Sequence, residues 1–461
     1  MMAMAEIDPE AVYCELEELV LRVNDHPEVR LKLLTEVSRA LEDCSRLMPA
    51  ERATLAEKVE RWRYQLLNHN AGHLSDDQSE LTQRLDLLMN QLSGSEPRSP
   101  RSLLSILATT RSQPLSAEIE ACLDPRRPLQ AVEAAARVVT DRHFAAGDGS
   151  ASRPMLLYAP LYVSNHCINH CLYCGFRYPN PMDREQLDVA QAIAEADVLG
   201  RRGFRHLLVV AGEYPRLVTV EYLARVVSAL TGRGFAVAIE VAPQSTLGYS
   251  RLRAASTVGV TLYQETYDPE RYSIYHPKGT KAWYDWRLEG PERAAEAGIR
   301  RIGLGILLGL GDPREELGTL IAHGRYLLER FPDLRLSFSL PRIHDAPEGF
   351  SAPQRVDDET FIRLYCALRL AIPFANLVLS TREPAHLRNR LARTCITQMS
   401  AGSSTSPGGY QEHDRDGASR QQFPVVDQRS PEEVVRHLTD DGFRVVWNLN
   451  ELQAGVEVYG E

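Results

Sequence analysis

No run of apolar residues in this chain approaches the roughly 20 that a membrane-spanning helix needs, so no membrane partner is expected. The first ten residues, MMAMAEIDPE, have neither the basic n-region nor the apolar h-region of a secretory leader, and the expected location is the cytoplasm. Positive charge is in deficit: 52 Lys and Arg face 62 Asp and Glu, a net charge of -10. With no basic stripe to offset that balance, a nucleic-acid partner is not expected and a small-molecule ligand is. Cysteine is sparse too. Of eight in 461 residues, five stand alone at Cys14, Cys44, Cys122, Cys366 and Cys395, which is no disulfide framework. Isolated cysteines of this kind are expected to be small buried apolar residues.

The other three stand together in Cys167-Ile-Asn-His-Cys171-Leu-Tyr-Cys174, a short polar loop. Three thiolates at this spacing can hold three corners of a cubane iron–sulfur cluster and leave one iron open for chemistry. A structural zinc site with His166 or His170 is one alternative, but zinc sites normally draw a second ligand pair from farther along the chain, and no CxxC or HxxxH follows. A closed electron-transfer cluster is another, and it needs a fourth cysteine nearby; the next is Cys366.

Around this loop the chain divides by texture. Residues 1–92 carry helical stripes, at Leu33, Val37, Ala40 and Cys44, at Leu55, Val59 and Trp62, and at Leu81, Leu85, Leu88 and Leu92 after a capping box at Ser75 and Gln78. They read as an all-helical accessory module. Residues 93–102 are rich in Ser, Pro and Gly and read as a linker. Residues 103–150 read as helices leading onward, with a stripe at Val132, Ala135, Ala136 and Val139.

From 151 to 450 short apolar runs alternate with amphipathic helical stretches, the pattern of repeated βα units on a parallel sheet. Expected strands are 155–163, 205–211, 235–241, 258–264, 301–308, 335–340, 376–380 and 395–399, the last being weakly strand-like. Eight such units predict an α/β fold, a (βα)8 TIM-type barrel, with an open six-stranded barrel as the other arrangement. Residues 451–461 read as a tail. The unusual polar residues fall at the C-terminal ends of these strands, where barrel active sites lie: the cysteine loop, Gly212-Glu213, Glu240, Gln264-Glu265, Gly309, Arg342, Arg382 and Ser400. An apolar strand seldom carries a carboxylate such as Glu240 without a partner for it. Arg382 offers a planar fork matched to a carboxylate, although Glu383 beside it could take that fork instead.

The cysteine loop with Tyr173 and Phe176 resembles the radical S-adenosylmethionine (SAM) enzymes. The stretches YAPLYVSNHCINHCLYCGF, LLVVAGE, YQETYDPERY, WRLEGPERAAEAGIRRIGLGILLGL, LPRI, LSTRE and MSAGSSTSPGGY narrow the match to the aromatic amino acid lyase branch, nearest its 2-iminoacetate synthases, the tyrosine lyases of thiazole and thiamine biosynthesis. The resemblance runs from about Leu103 onward. It implies a [4Fe-4S] cluster on Cys167, Cys171 and Cys174, and SAM at the open iron, met by Gly212, Glu213, Glu240, Phe176 and Gly305; Gly303 and Gly305 otherwise permit tight barrel packing. It implies Cα–Cβ cleavage of tyrosine to 2-iminoacetate and p-cresol, with Arg382, Tyr162, Ser400, Gln264 and Arg342 around the substrate. Tryptophan or another aromatic amino acid is the alternative substrate, and a non-catalytic metal-binding scaffold is the alternative of another class. A flavodoxin or ferredoxin electron donor is implied, and thiazole synthase is a further candidate partner. Three features depart from the branch: Ile343-His344-Asp345 after Arg342, Asn448-Leu-Asn after Val446-Trp447, and the N-terminal module. The absence of cysteine after Met399 argues against the hydrogenase-maturation members, which carry a second cluster there.

Overall fold

The computed structural model describes residue 107 and residues 115–144, 152–344, 349–411 and 420–452. The accessory module at 1–92 and the linker at 93–102 lie outside the described residues, as does nearly all of the tail. The chain forms two compact units, one of residues 103–276 and 284–461, the other of 1–102 and 277–283. The larger unit carries the cysteine loop and every strand found among the described residues.

Parallel strands covered on both faces should be apolar on both, and the first strand is: β1, Pro154–Ser164, is buried along nearly its whole length. Its two faces divide by the period of two. Met155, Leu157, Ala159, Leu161 and Val163 pack outward into the main core with the surrounding helices, the four larger side chains each stabilising the fold by roughly 1.5–3 kcal/mol relative to exposure. Tyr158 and Tyr162 point inward, into a smaller cluster with Phe176, Leu208, Val210, Ala238 and Val378. The same alternation recurs in β2, His206–Ala211, and β3, Ala236–Glu240.

The remaining barrel strands are β4, Thr257–Glu265; β5, Arg301–Ile306; β6, Arg335–Ser339; β7, Asn376–Leu379; and β8, Gln398–Ser400. All neighbours pair in parallel, and β1 pairs with both β2 and β8, so the eight-stranded sheet closes. The fold is the expected (βα)8 barrel. Several of the intervening helices start at a side-chain cap, Asp188 with Gln191, Thr219, Ser245, Asp312, Asp357, and Ser430 with Glu433, which satisfies backbone N–H groups that the first turn leaves unpaired.

Three expectations are corrected. The strands at 301–308, 376–380 and 395–399 fall at 301–306, 376–379 and 398–400. The helix Leu129–Phe144 buries Val132, Glu133, Ala136 and Thr140 rather than Ala135 and Val139; Glu133 is held inside by Arg390, at 2.7 and 2.9 Å. A further strand, β9, Arg444–Val446, pairs in parallel with the start of β1. Three residues are too few to display an alternation. Leu449 and Leu452 follow it onto Leu156, and Leu449 lines the barrel interior beside His206, Arg301 and Arg335, which all begin strands. Cys122, Cys366 and Cys395 are fully buried, as their isolation implied. No helix among the described residues is long and apolar enough to cross a membrane.

Candidate functional site

At Ser164 the chain leaves β1 and enters the cysteine loop at the C-terminal mouth of the barrel. Asn165 fixes the turn: its Nδ2 donates to the Asp183 carbonyl at 2.8 Å and its Oδ1 accepts from the Glu185 N–H at 2.6 Å. Arg184 clamps the loop by donating to the carbonyls of Asn165, Phe176 and Arg177 at 2.6, 2.8 and 3.0 Å. Burial pulls this guanidinium below its ordinary range, and the nearby Cys167 and Cys174 pull it back up when ionised. Gly212 lets the end of β2 lie against the loop, because a Cβ there would stand 2.3 Å from the His166 carbonyl oxygen.

Cys171 is buried, whereas Cys167 and Cys174 are half-buried. Burial first, then Cys174 and Glu213, push the Cys167 thiol up to about 12. Alone it stays protonated at neutral pH; a cation bound through sulfur is what ionises such a thiol. Among the described residues no three of His, Cys, Asp and Glu converge as they would around one metal ion. A cubane does not ask for that convergence, since each thiolate reaches a different iron. The pinned backbone, the half-open thiols and the adjoining cation fit such a cluster.

Beside the loop, Glu213 is buried. Its Oε1 accepts from Arg287 at 2.9 Å and its Oε2 from Asn169 Nδ2 at 2.8 Å. Arg287, on the short helix Tyr284–Leu288, also donates to the Tyr263 carbonyl at 2.6 Å and lies 3.8 Å from Glu265. Glu265 ends β4 with φ of 69°, a left-handed conformation that is strained for a residue with a side chain. Glu240, at the end of β3, acts on the interior phenols: burial first and then its carboxylate raise Tyr158, Tyr162 and Tyr263 above their ordinary range. Phe176 stands edge-on to Tyr162, with ring centroids 5.9 Å apart at 87°.

Opposite, Arg382 follows β7 and lays its guanidinium over the Phe423 ring, 3.2 Å from the centroid. Among the described residues it forms no ion pair, and its charge bears on the Tyr162 phenol. Ser400 Oγ accepts from the Thr381 N–H at 3.1 Å, tying the end of β8 to the turn that carries Arg382.

The structure thus brings the cysteine loop, Phe176, Gly212, Glu213, Glu240, Tyr162, Ser400 and Arg382 to one barrel mouth, and it treats three other expected residues differently. Gln264 lies out of phase with the inward-facing Thr261 and Tyr263 and donates weakly to the Tyr284 carbonyl at 3.5 Å. Gly305 is where the Tyr263 ring crosses β5; a Cβ there would be 2.5 Å from Tyr263 Cδ1 and 2.6 Å from the Ser339 carbonyl oxygen, so barrel packing accounts for it. Arg342 is consumed by ion pairs with Glu383 and Asp358 and by the Val356 carbonyl. Four residues at the site were given no role in it from the sequence. Arg287 and Arg184 are two of them; the first lies inside the WRLEG stretch, which was the only available signal. Gln422 and Phe423 are the others, brought in from far along the chain.

The Radical SAM superfamily profile matches residues 161–323, and that of the Biotin and Thiamin Synthesis associated domain matches residues 339–444. The curated 2-iminoacetate synthases of Escherichia coli (strain K12) and Salmonella typhimurium (strain LT2) are 38% and 37% identical over 291 residues, which is 63% of this chain and 76% of each relative.

The chain belongs to the radical SAM aromatic amino acid lyase family.

Solved structures agree. This radical SAM lyase superposes on HydG, a maturase of the [FeFe]-hydrogenase, with a TM-score of 0.66 at 27% identity, covering 91% of this chain and 81% of the other. HydG from Carboxydothermus hydrogenoformans gives 0.65 at 32%, covering 88% and 87%. Methylornithine synthase, at 21% identity and a TM-score of 0.56 over 74% of this chain and 97% of the other, shares the fold. Membership makes the chain a radical SAM lyase, an enzyme of a superfamily that works with a [4Fe-4S] cluster and SAM.

Proposed function

We propose that this radical SAM lyase cleaves the Cα–Cβ bond of L-tyrosine to 2-iminoacetate and p-cresol, in the service of the thiamine thiazole. The names of its curated relatives, 2-iminoacetate synthases, support the product. The observation that carries the reading is Arg382, a half-buried guanidinium stacked on Phe423 at the barrel mouth and free of ion pairs among the described residues, the fork an amino acid carboxylate requires.

In this reading Cys167, Cys171 and Cys174 hold the cluster. With SAM bound, the cluster supplies a 5'-deoxyadenosyl radical by one-electron cleavage of the sulfonium. The chain's own residues bind and orient. Gly212 and Glu213 receive the SAM amino group, Arg287 fixing the Glu213 carboxylate so that it need not reorganise. Glu240 accepts from the ribose hydroxyls, and the backbone at Phe176 lies against the adenine. Arg382 grips the substrate carboxylate, Tyr162 and Ser400 flank the amino acid head, and the aromatic cluster excludes water from the reacting carbon. A flavodoxin or ferredoxin delivers the electron, and thiazole synthase takes the imine onward.

One observation favours a second reading, tryptophan or another aromatic amino acid: Arg342, expected beside the substrate, is already spent on Glu383 and Asp358. Anaerobic cluster reconstitution followed by dithionite and SAM separates the two. p-Cresol and 5'-deoxyadenosine from tyrosine support the main reading; turnover with tryptophan alone sinks it. A metal-binding scaffold would cleave no SAM at all.

A further inference from the structure

Gln422 arrives at the site from a segment far from the cysteine loop and touches it three ways. Its backbone carbonyl accepts from the Gly175 N–H at 3.2 Å. The approach is so close that a Cβ on Gly175 would stand 2.3 Å from the Gln422 carbonyl oxygen. Its side chain has two ends with two partners: Oε1 accepts from the Tyr162 hydroxyl at 2.8 Å, and Nε2 donates to Cys174 Sγ at 3.7 Å. The segment is itself anchored, Gln422 N–H donating to the Thr405 carbonyl at 3.1 Å and Thr405 Oγ1 to the Phe423 carbonyl at 2.8 Å.

We propose that Gln422 is a positioning residue whose amide relays the hydrogen bond of the interior Tyr162 hydroxyl to the Cys174 sulfur and thereby sets the reduction potential of the cluster. The proposal rests on the reading that Cys174 is a cluster ligand. Hydrogen bonds to ligating sulfurs withdraw charge from the iron and make its reduction easier. An amide whose oxygen accepts a bond is a better donor through its nitrogen, since linked hydrogen bonds polarise one another. Tyr162 faces the barrel interior with Phe176, so whatever engages its hydroxyl there alters what Gln422 gives to the sulfur.

The test is a potentiometric titration of the reconstituted cluster, followed by electron paramagnetic resonance, in the full-length chain without substrate. Gln422→Leu should shift the midpoint to more negative values at unchanged iron content. Tyr162→Phe should shift it the same way by less, and should add nothing in the Gln422→Leu background. An unchanged midpoint in iron-replete Gln422→Leu overturns the proposal, and so does a Tyr162→Phe shift that persists in the Gln422→Leu background. Should Gln422→Leu fail to load iron, Gln422→Met decides in its place: it keeps the length of the side chain without charge and removes the donor toward Cys174, so an unchanged midpoint is again fatal. A wild-type chain that takes up iron and shows no cluster signal is a different failure, that of the cluster reading itself.

Discussion

Arg342 holds the Glu383 carboxylate with two nitrogens, Nε at 3.1 Å from Oε1 and NH2 on Oε2, and its partner is therefore not the sequence neighbour Arg382. His344 adds a third contact to the same carboxylate, Nε2 lying 3.1 Å from Oε1. Of two arginines at adjacent strand ends, Arg342 is thus taken up by ion pairs and Arg382 lies on the Phe423 ring.

Arg382→Met should weaken kcat/KM for the amino acid by roughly a hundredfold, the loss of about 2–3 kcal/mol of charge-assisted hydrogen bonding, while SAM binding measured without substrate is unchanged. Arg382→Lys should recover only part, because an ammonium lacks the planar fork. Steady-state kinetics beside equilibrium binding check both.

Arg342→Met should act on stability first. It strands Glu383, 1% exposed, without its main cation, a defect that costs about 3–5 kcal/mol. The double variant Arg342→Met with Glu383→Gln should regain much of it, since no charge is then left buried. Denaturant midpoints of the two variants beside wild type give the answer.

Gly212→Ala drives a methyl toward backbone, not toward a side chain that could swing away, so the cysteine loop itself must move. A loss of about 1–3 kcal/mol, the usual cost of overpacking, together with reduced iron retention is expected. A melting temperature and iron content equal to wild type would show that the loop has slack.

Two histidines predict acid sensitivity. Burial pushes His323 down to about 3 and His206 to about 4, and His323 Nδ1 lies 2.8 Å from the Tyr267 hydroxyl. Both stay neutral in the fold while the unfolded chain binds protons from about pH 6.5 downward. Their contribution is intact above that value and is lost as the pH falls from 6.5 through 4 toward 3, by up to roughly 1.4 kcal/mol per pH unit for each histidine. Midpoints measured across that window should slope accordingly, and His323→Gln should remove one proton's worth of slope.

Much of this was legible in the sequence because it rested on local signals. The run 155–163 is apolar along its length and reads as a buried strand by itself, and the cysteine spacing is self-contained. What escaped depended on distant chain coming together. Glu133 and Thr140 broke the helical stripe because an arginine more than 250 residues away neutralises Glu133. Whether Glu383 would choose Arg342 or Arg382 was undecidable from neighbours in sequence, since the two strand ends and the turn of Glu383 are joined only by the closed sheet. Nothing local gave Arg287 or Gln422 a role; they matter through the partners the barrel delivers to them.

β9 and the leucines behind it lie across the strand starts, at the end of the barrel opposite the cysteine loop. The segment from Arg444 to Leu452 is therefore part of the barrel wall, and a chain cut before Arg444 would uncover Leu156 at the start of β1.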